Sequence, residues 1–120
     1  MKEVLILRDN KRFLQGPIYL ADSFLLRFRG LMFRREMPKE SGLLFTKVSQ
    51  IHTHFMRFTI DVVYLDSCFT VLEVQTIAPW KIGKRVGGCK NILELNEGVG
   101  ARFKPGMRID IDMDSVLNKG

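Results

Sequence analysis

The reading of this chain turns on residues 51–66, IHTHFMRFTIDVVYLD, which hold both histidines together with Met56, Arg57, Asp61 and Asp66. Side chains alternate between faces along a strand. A strand over the first half therefore places His52, His54 and Met56 on one face and Ile51, Thr53, Phe55 and Arg57 on the other. The second half, Asp61 to Leu65, is β-branched and aromatic and predicts another strand. A functional site is expected to border this stretch.

Outward from it, Asp66-Ser67-Cys68 separates two β-prone runs, the second being Phe69 to Ile77, so the simplest reading is a hairpin. That run ends at Ala78-Pro79-Trp80. Lys81 to Lys90 interleaves Gly83, Gly87 and Gly88 with Lys84 and Arg85, and glycine-rich polar composition predicts a mobile loop. Asn91 to Leu95 reads as a strand with Leu93 and Leu95 on one face and Glu94 on the other. Asn96-Glu97-Gly98 breaks it, Gly98 to Lys104 predicts a helical turn, and Pro105-Gly106 a further turn. Met107 to Met113 is the last strand, and Ser115 to Gly120 a frayed tail.

Toward the amino terminus, Glu3 to Leu7, Ile18 to Ala21 and Gly42 to Lys47 predict short strands. Between the last two, Asp22 or Ser23 can cap a helix whose apolar stripe is Phe24, Phe28 and Leu31, with Gly30 near its end. About seven short strands and one short early helix predict a mainly β single domain over residues 1–120, a sandwich or partly open barrel.

Bulk properties exclude several classes. With 120 residues and 46% hydrophobic content the chain is long enough for one core and too apolar for disorder. The formal net charge of +6 favours anionic partners, but the positive charges are dispersed, with no run of five or more Lys or Arg. Nucleic-acid binding is therefore not expected. Val4 to Leu7 is too short for a secretory signal, and no segment approaches the roughly 20 apolar residues of a membrane helix. A cytoplasmic chain without membrane attachment is expected. Cys68 and Cys89 make no disulfide framework and read as reduced thiols.

Several blocks resemble the domain-of-unknown-function 192 family. They are Arg27 with Arg29-Gly30-Leu31-Met32-Phe33-Arg34, then Gly42-Leu43-Leu44-Phe45, then Met56-Arg57-Phe58-Thr59-Ile60-Asp61-Val62-Val63-Tyr64-Leu65-Asp66. Ala78-Pro79-Trp80, Ile92 to Gly98 and Gly106 resemble the later blocks. The resemblance runs in order from about Ala21 to Ile111. It implies a compact, jelly-roll-like β domain of prokaryotes and no particular activity. His54 departs from the pattern, standing where an aromatic or apolar residue is more usual; His52-Thr53 follows it.

The chemical candidates each have a plainer alternative. His52 and His54 on one strand face can both reach a divalent metal, with Asp61, Asp66 or Glu94 as a third ligand. The plainer reading is one imidazole hydrogen-bonded at a sheet rim and one exposed. Arg27, Arg29, Arg34 and Arg35 can form an anion pocket, since guanidinium groups suit carboxylate and phosphate; otherwise they are solvated, with Arg29 paired to Asp61 or Glu94. Asp61, Asp66 and Glu94 can be an acid–base set, or Asp66 a turn residue and Asp61 a partner of Arg57. Cys89 sits beside Lys90, which lowers a thiol pKa. Trp80 can line a groove or pack over the end of the sheet.

The expected function is a small non-catalytic binding or accessory domain. Its ligand would be a small anionic molecule or a partner protein segment held by Arg29, His52, Asp61, Trp80 and Glu94. The alternative is a metal-dependent enzyme built on His52, His54 and a carboxylate; a divalent metal is compatible with the first reading but not required by it.

Overall fold

Ile60 to Leu65 is buried along its whole length, so this strand must be covered on both faces and flanked on both edges. The computed structural model, which describes residues 2–21, 39–54 and 56–112, shows how that is met. Its strands, in chain order, are β1 (Lys2–Arg8), β2 (Lys11–Arg12), β3 (Ile18–Ala21), β4 (Gly42–Thr46), β5 (Ile60–Leu65), β6 (Val71–Ile77), β7 (Asn91–Asn96) and β8 (Asp110–Asp112). They form one sheet in the order β2-β1-β3-β4-β7-β5-β6, with β8 also against β1. β5 pairs antiparallel with β6 on one side and β7 on the other.

Alternation then sorts two cores. Val63 and Leu65 of β5 point inward with Leu93, Leu95, Leu44, Leu20 and Ile6, and Phe103 and Ile109 join them. Ile60, Val62 and Tyr64 point outward with Ile92, Leu43, Phe45, Ala21, Ile77, Met56 and Cys89. The sheet curls around the inner cluster, and residues 106–112 link its two sides. Val71 N–H donates to Met107 O (2.7 Å), Gly106 N–H to Val71 O (2.8 Å) and Ile109 N–H to Phe69 O (3.1 Å). A few residues later, Asp110–Asp112 pairs with Leu5–Leu7 of β1. The result is a mainly β, curled half-barrel.

The hairpin expected at Asp66 forms between β5 and β6. Asp66 Oδ1 accepts from Cys68 N–H (2.8 Å) and Thr70 N–H (2.9 Å), an aspartate holding its own turn. β3 and β4 run parallel, a pairing that two adjacent strands cannot make through a tight turn. The early helix with Phe24, Phe28 and Leu31, and Arg27, Arg29, Arg34 and Arg35 after its start, lie outside the described residues.

Two expectations are corrected. Among the described residues of 51–57 no strand forms: only His52 makes a bridge, to Ile82, and Met56 N–H turns back to Thr53 O (3.1 Å). Burial follows that turn instead of alternation, with Thr53 and Met56 both buried and His52 exposed. Nor is Lys81 to Lys90 a free loop. Gly83 N–H donates to Ile51 O (2.7 Å) and Lys90 N–H to Leu65 O (2.9 Å), while Lys84 N–H reaches Gln75 Oε1 (3.1 Å). Of the strand expected over Met107 to Met113, the described residues Asp110–Asp112 form β8, and Lys11–Arg12 adds a two-residue strand that was not anticipated.

Asp61 ties β5 to the 3₁₀ turn Val99–Arg102. Its Oδ2 accepts from Gly98 N–H (2.8 Å) and Gly100 N–H (2.9 Å), and its Oδ1 from the Thr76 hydroxyl (2.7 Å). A Cβ at Gly100 would lie 2.8 Å from Asp61 Oδ2, so glycine is required for the approach. Asp61→Ala leaves these donors without their acceptor and is expected to cost on the order of 3 kcal/mol in urea unfolding, with Asp61→Asn losing less. Equal stability of the alanine variant and the parent would contradict this role.

Candidate functional site

Thr53 builds the site. Its backbone N–H donates to Lys81 O (2.7 Å), and its carbonyl accepts from Trp80 N–H (2.9 Å). Its hydroxyl donates to Ala78 O (2.6 Å) and accepts from Lys81 N–H (2.8 Å). With Gly83 N–H on Ile51 O, segments 51–53 and 81–83 are zipped together. That zipper carries the side chains flanking it. The rings of His52 and His54 lie 4.9 Å apart at 34°. His54 lies 5.7 Å from Trp80 at 57°. Trp80 is 57% exposed and Ile82 65%, the large hydrophobic side chains left open to water among the described residues.

Beneath the zipper the support is polar but closed. Tyr64 donates its hydroxyl to Gln75 Oε1 (2.7 Å), which also accepts Lys84 N–H. Burial pushes the Tyr64 hydroxyl up to about 12, so it stays a donor. A Cβ at Gly83 would meet Tyr64 Oη at 2.7 Å, which explains glycine there. Lys84 Nζ pairs with Glu73 Oε2 (3.0 Å) at the surface.

The structure brings His52, His54 and Trp80 together and leaves the other candidates elsewhere. Asp61 faces the inner side of the sheet with its carboxylate engaged by backbone amides. Asp66 is spent in its turn. Arg29 lies outside the described residues. Among the described residues no group of three His, Cys, Asp or Glu is placed to hold a metal ion. Cys89 is buried, and that burial raises its thiol pKa more than Lys90 lowers it, so the thiol stays protonated. Cys68 is exposed at the hairpin tip.

Glu94 is the residue whose environment the sequence concealed. Alternation correctly puts it opposite Leu93 and Leu95, but that face is a second core and not solvent. It stands between Leu43 of β4 and Val62 of β5, only 4% exposed. Burial pushes its carboxyl up to about 8. Asp61 and Glu94 lie on neighbouring strands but point to opposite faces, so they are not an acid–base pair. The residues that sequence reasoning missed are Thr53, read as one of an alternating series, and Ile82, an isolated apolar residue in a basic loop.

The raised pKa of Glu94 makes stability depend on pH. Below about pH 4.5 the carboxyl is protonated in both folded and unfolded chains, and nothing is lost. Above that, the unfolded chain releases the proton while the folded chain keeps it until about pH 8, so stability falls as pH rises through this window. Glu94→Gln removes that contribution. Unfolding free energies from urea titrations between pH 5 and pH 8 should decline for the parent by on the order of 3 kcal/mol more than for the variant. Parallel declines would show that Glu94 is ionised in the folded chain.

With this geometry in view, comparison with known proteins places the chain. The family model described as "Uncharacterized ACR, COG1430" (DUF192) matches residues 5–111, starting before the Ala21 at which the resemblance in sequence begins. A UPF0127 protein of Pyrococcus horikoshii is 35% identical over 98 residues, covering 76% of this chain and 82% of that protein. A UPF0127 protein of Thermococcus sibiricus is 34% identical over 104 residues, and the matched region spans 80% of this chain and 65% of the relative. A solved structure of a protein of unknown function from Novosphingobium aromaticivorans superposes with a TM-score of 0.73, over 90% of this chain and 83% of that one, at 22% identity. That likeness shows a shared fold, and the sequence matches show the lineage: the chain belongs to the DUF192 family.

Proposed function

We propose that this domain is a binding module without catalysis of its own, and that its ligand settles on Trp80, His54, His52 and Ile82. The observation that carries the reading is Trp80, an indole 57% exposed on a backbone at φ 65°. A left-handed backbone costs a bulky residue on the order of 1 kcal/mol or more, and such strain concentrates at functional positions. A side chain this exposed recovers little of that cost through burial. The strain is the cost of placing an indole at an exposed position beside the His54 ring, which a binding surface explains.

The surroundings favour a small anionic molecule with a flat apolar part. Indole and imidazole faces suit a planar group, and Lys81, Lys84 and Arg85 stand exposed in the adjoining loop. The hydrogen-bonded zipper holds the platform before any ligand arrives, which reduces the ordering cost of binding. A partner segment presenting an aromatic and an acidic side chain has the same chemistry. The metal-dependent alternative has the 4.9 Å approach of His52 and His54 in its favour, with no third ligand among the described residues.

Trp80 is the single tryptophan of the chain, so its fluorescence reads the site directly. Titration with benzoate or adenosine monophosphate is expected to change it saturably. By calorimetry Trp80→Gly should weaken binding about tenfold or more, while its melting temperature stays level or rises because the backbone strain is relieved. Saturable binding that survives in Trp80→Gly would overturn the assignment. A response to zinc alone, lost in His52→Ala, would replace it with the metal reading.

A further inference from the structure

The geometry points to a second binding site, for a small phosphate ester, in the open groove where the ends of β4 and β7 meet the β5–β6 turn. The groove has a volume of about 540 Å³. Lys47 and Lys90 stand at its edge with the hydroxyls of Ser49 and Ser67, Val48 and Phe69 contribute apolar wall, and no lining residue is acidic. The site is separate from the Trp80 platform in its residues and does not depend on that reading.

The groove is built on fixed backbone. Val48 N–H donates to Lys90 O (2.9 Å) and Lys90 N–H to Leu65 O (2.9 Å). Asn91 Nδ2 donates to Asp66 O (3.0 Å), joining β7 to the turn. Asn91 Oδ1 accepts from Lys47 N–H at 3.4 Å. Lys47 itself sits at φ 60° and Phe69 at φ 62°, so two of the lining residues hold left-handed backbone without being glycine. Among the described residues neither Lys47 nor Lys90 has an ion pair. The adjoining Asp66 carboxylate is turned into its own loop, on Cys68 and Thr70 N–H.

The class of ligand follows from charge and shape. Two ammonium groups match a dianion, and a phosphate monoester carries about −1.5 to −2 charges at pH 7 with three acceptor oxygens. Lysine ammonium and serine hydroxyl groups can donate to those oxygens. Val48 packs against the outer core and Phe69 against the inner one, so the apolar wall is held from behind and can receive the ester's organic group.

The test is an amide ¹H–¹⁵N titration of the full chain with methyl phosphate, with arms of inorganic phosphate, acetate, and sodium chloride at matched ionic strength. Methyl phosphate is expected to give saturable shifts confined to residues 46–49, 67 and 89–91. Inorganic phosphate should bind the same residues more weakly, and acetate at least tenfold more weakly. The Lys47→Gly/Lys90→Gln double variant should lose at least tenfold in affinity; both side chains are exposed, and glycine accepts the backbone at position 47, so folding is preserved. Shifts reproduced by sodium chloride alone, or unchanged binding in the double variant, would overturn the site.

Discussion

Burial of β5 on both faces is the constraint from which the rest of the structure follows. Every residue from Ile60 to Leu65 is buried, including Asp61 and Tyr64. A strand in that position cannot lie on a one-sided sheet, where apolar and polar residues alternate. The inner face is closed by curling the sheet and joining β6 to β1 through residues 106–112. The outer face has no second sheet among the described residues, so irregular segments cover it, and Val48, Ile51, Phe58 and Val86 pack there. Loops that cover a core need their backbone polar groups satisfied. Thr53 does this for two of them at once, so that a pair of loops is hydrogen-bonded together much as two strands are.

That arrangement separates scaffold from site. Three of the polar groups facing the cores are occupied: Asp61 by Gly98, Gly100 and Thr76, Tyr64 by Gln75, Asn91 by Asp66 and Lys47. These contacts fix the positions of the strands and turns. The side chains left outward on the same loops are His52, Trp80 and Ile82, which serve no core. A rigid frame with exposed apolar and imidazole groups is suited to recognition, since little freedom is lost when a ligand docks.

The strands were legible from the sequence wherever packing and local pattern agreed. Ile18–Ala21, Ile60–Leu65 and Asn91–Asn96 stand close to where β-branched and apolar runs place them, and Asp66 behaves as a turn aspartate. Residues 51–57 misled because period-2 alternation is also produced by a loop whose buried residues are chosen by hydrogen bonding. Thr53 is buried for its hydroxyl, a reason the pattern does not encode. Lys81 to Lys90 has the composition of a mobile loop, but its tethers reach Ile51, Leu65 and Gln75, between 9 and 32 residues away in sequence. Glu94 was placed on the correct face, and its burial depended on a second core that one strand's pattern cannot reveal.

Electrostatics connects the fold to the kind of partner it favours. The formal charge of +6 counts Glu94 as ionised; with its carboxyl pushed up to about 8, the folded chain carries about one more positive charge at pH 7. The carboxylates of Asp61 and Asp66 are directed at backbone amides. Lys47, Lys81, Arg85 and Lys90, by contrast, stand exposed and have no ion pair among the described residues. Asp61, Asp66 and Glu94 are thus absorbed into the architecture while these four basic residues remain at the loops. The field at the loop end of the barrel is therefore more positive than composition alone indicates, and it falls away over about 10 Å at ordinary ionic strength. Such a field draws small anions to the surface from solution, and the shape of the Trp80 platform and the lysine groove then decides which of them stay.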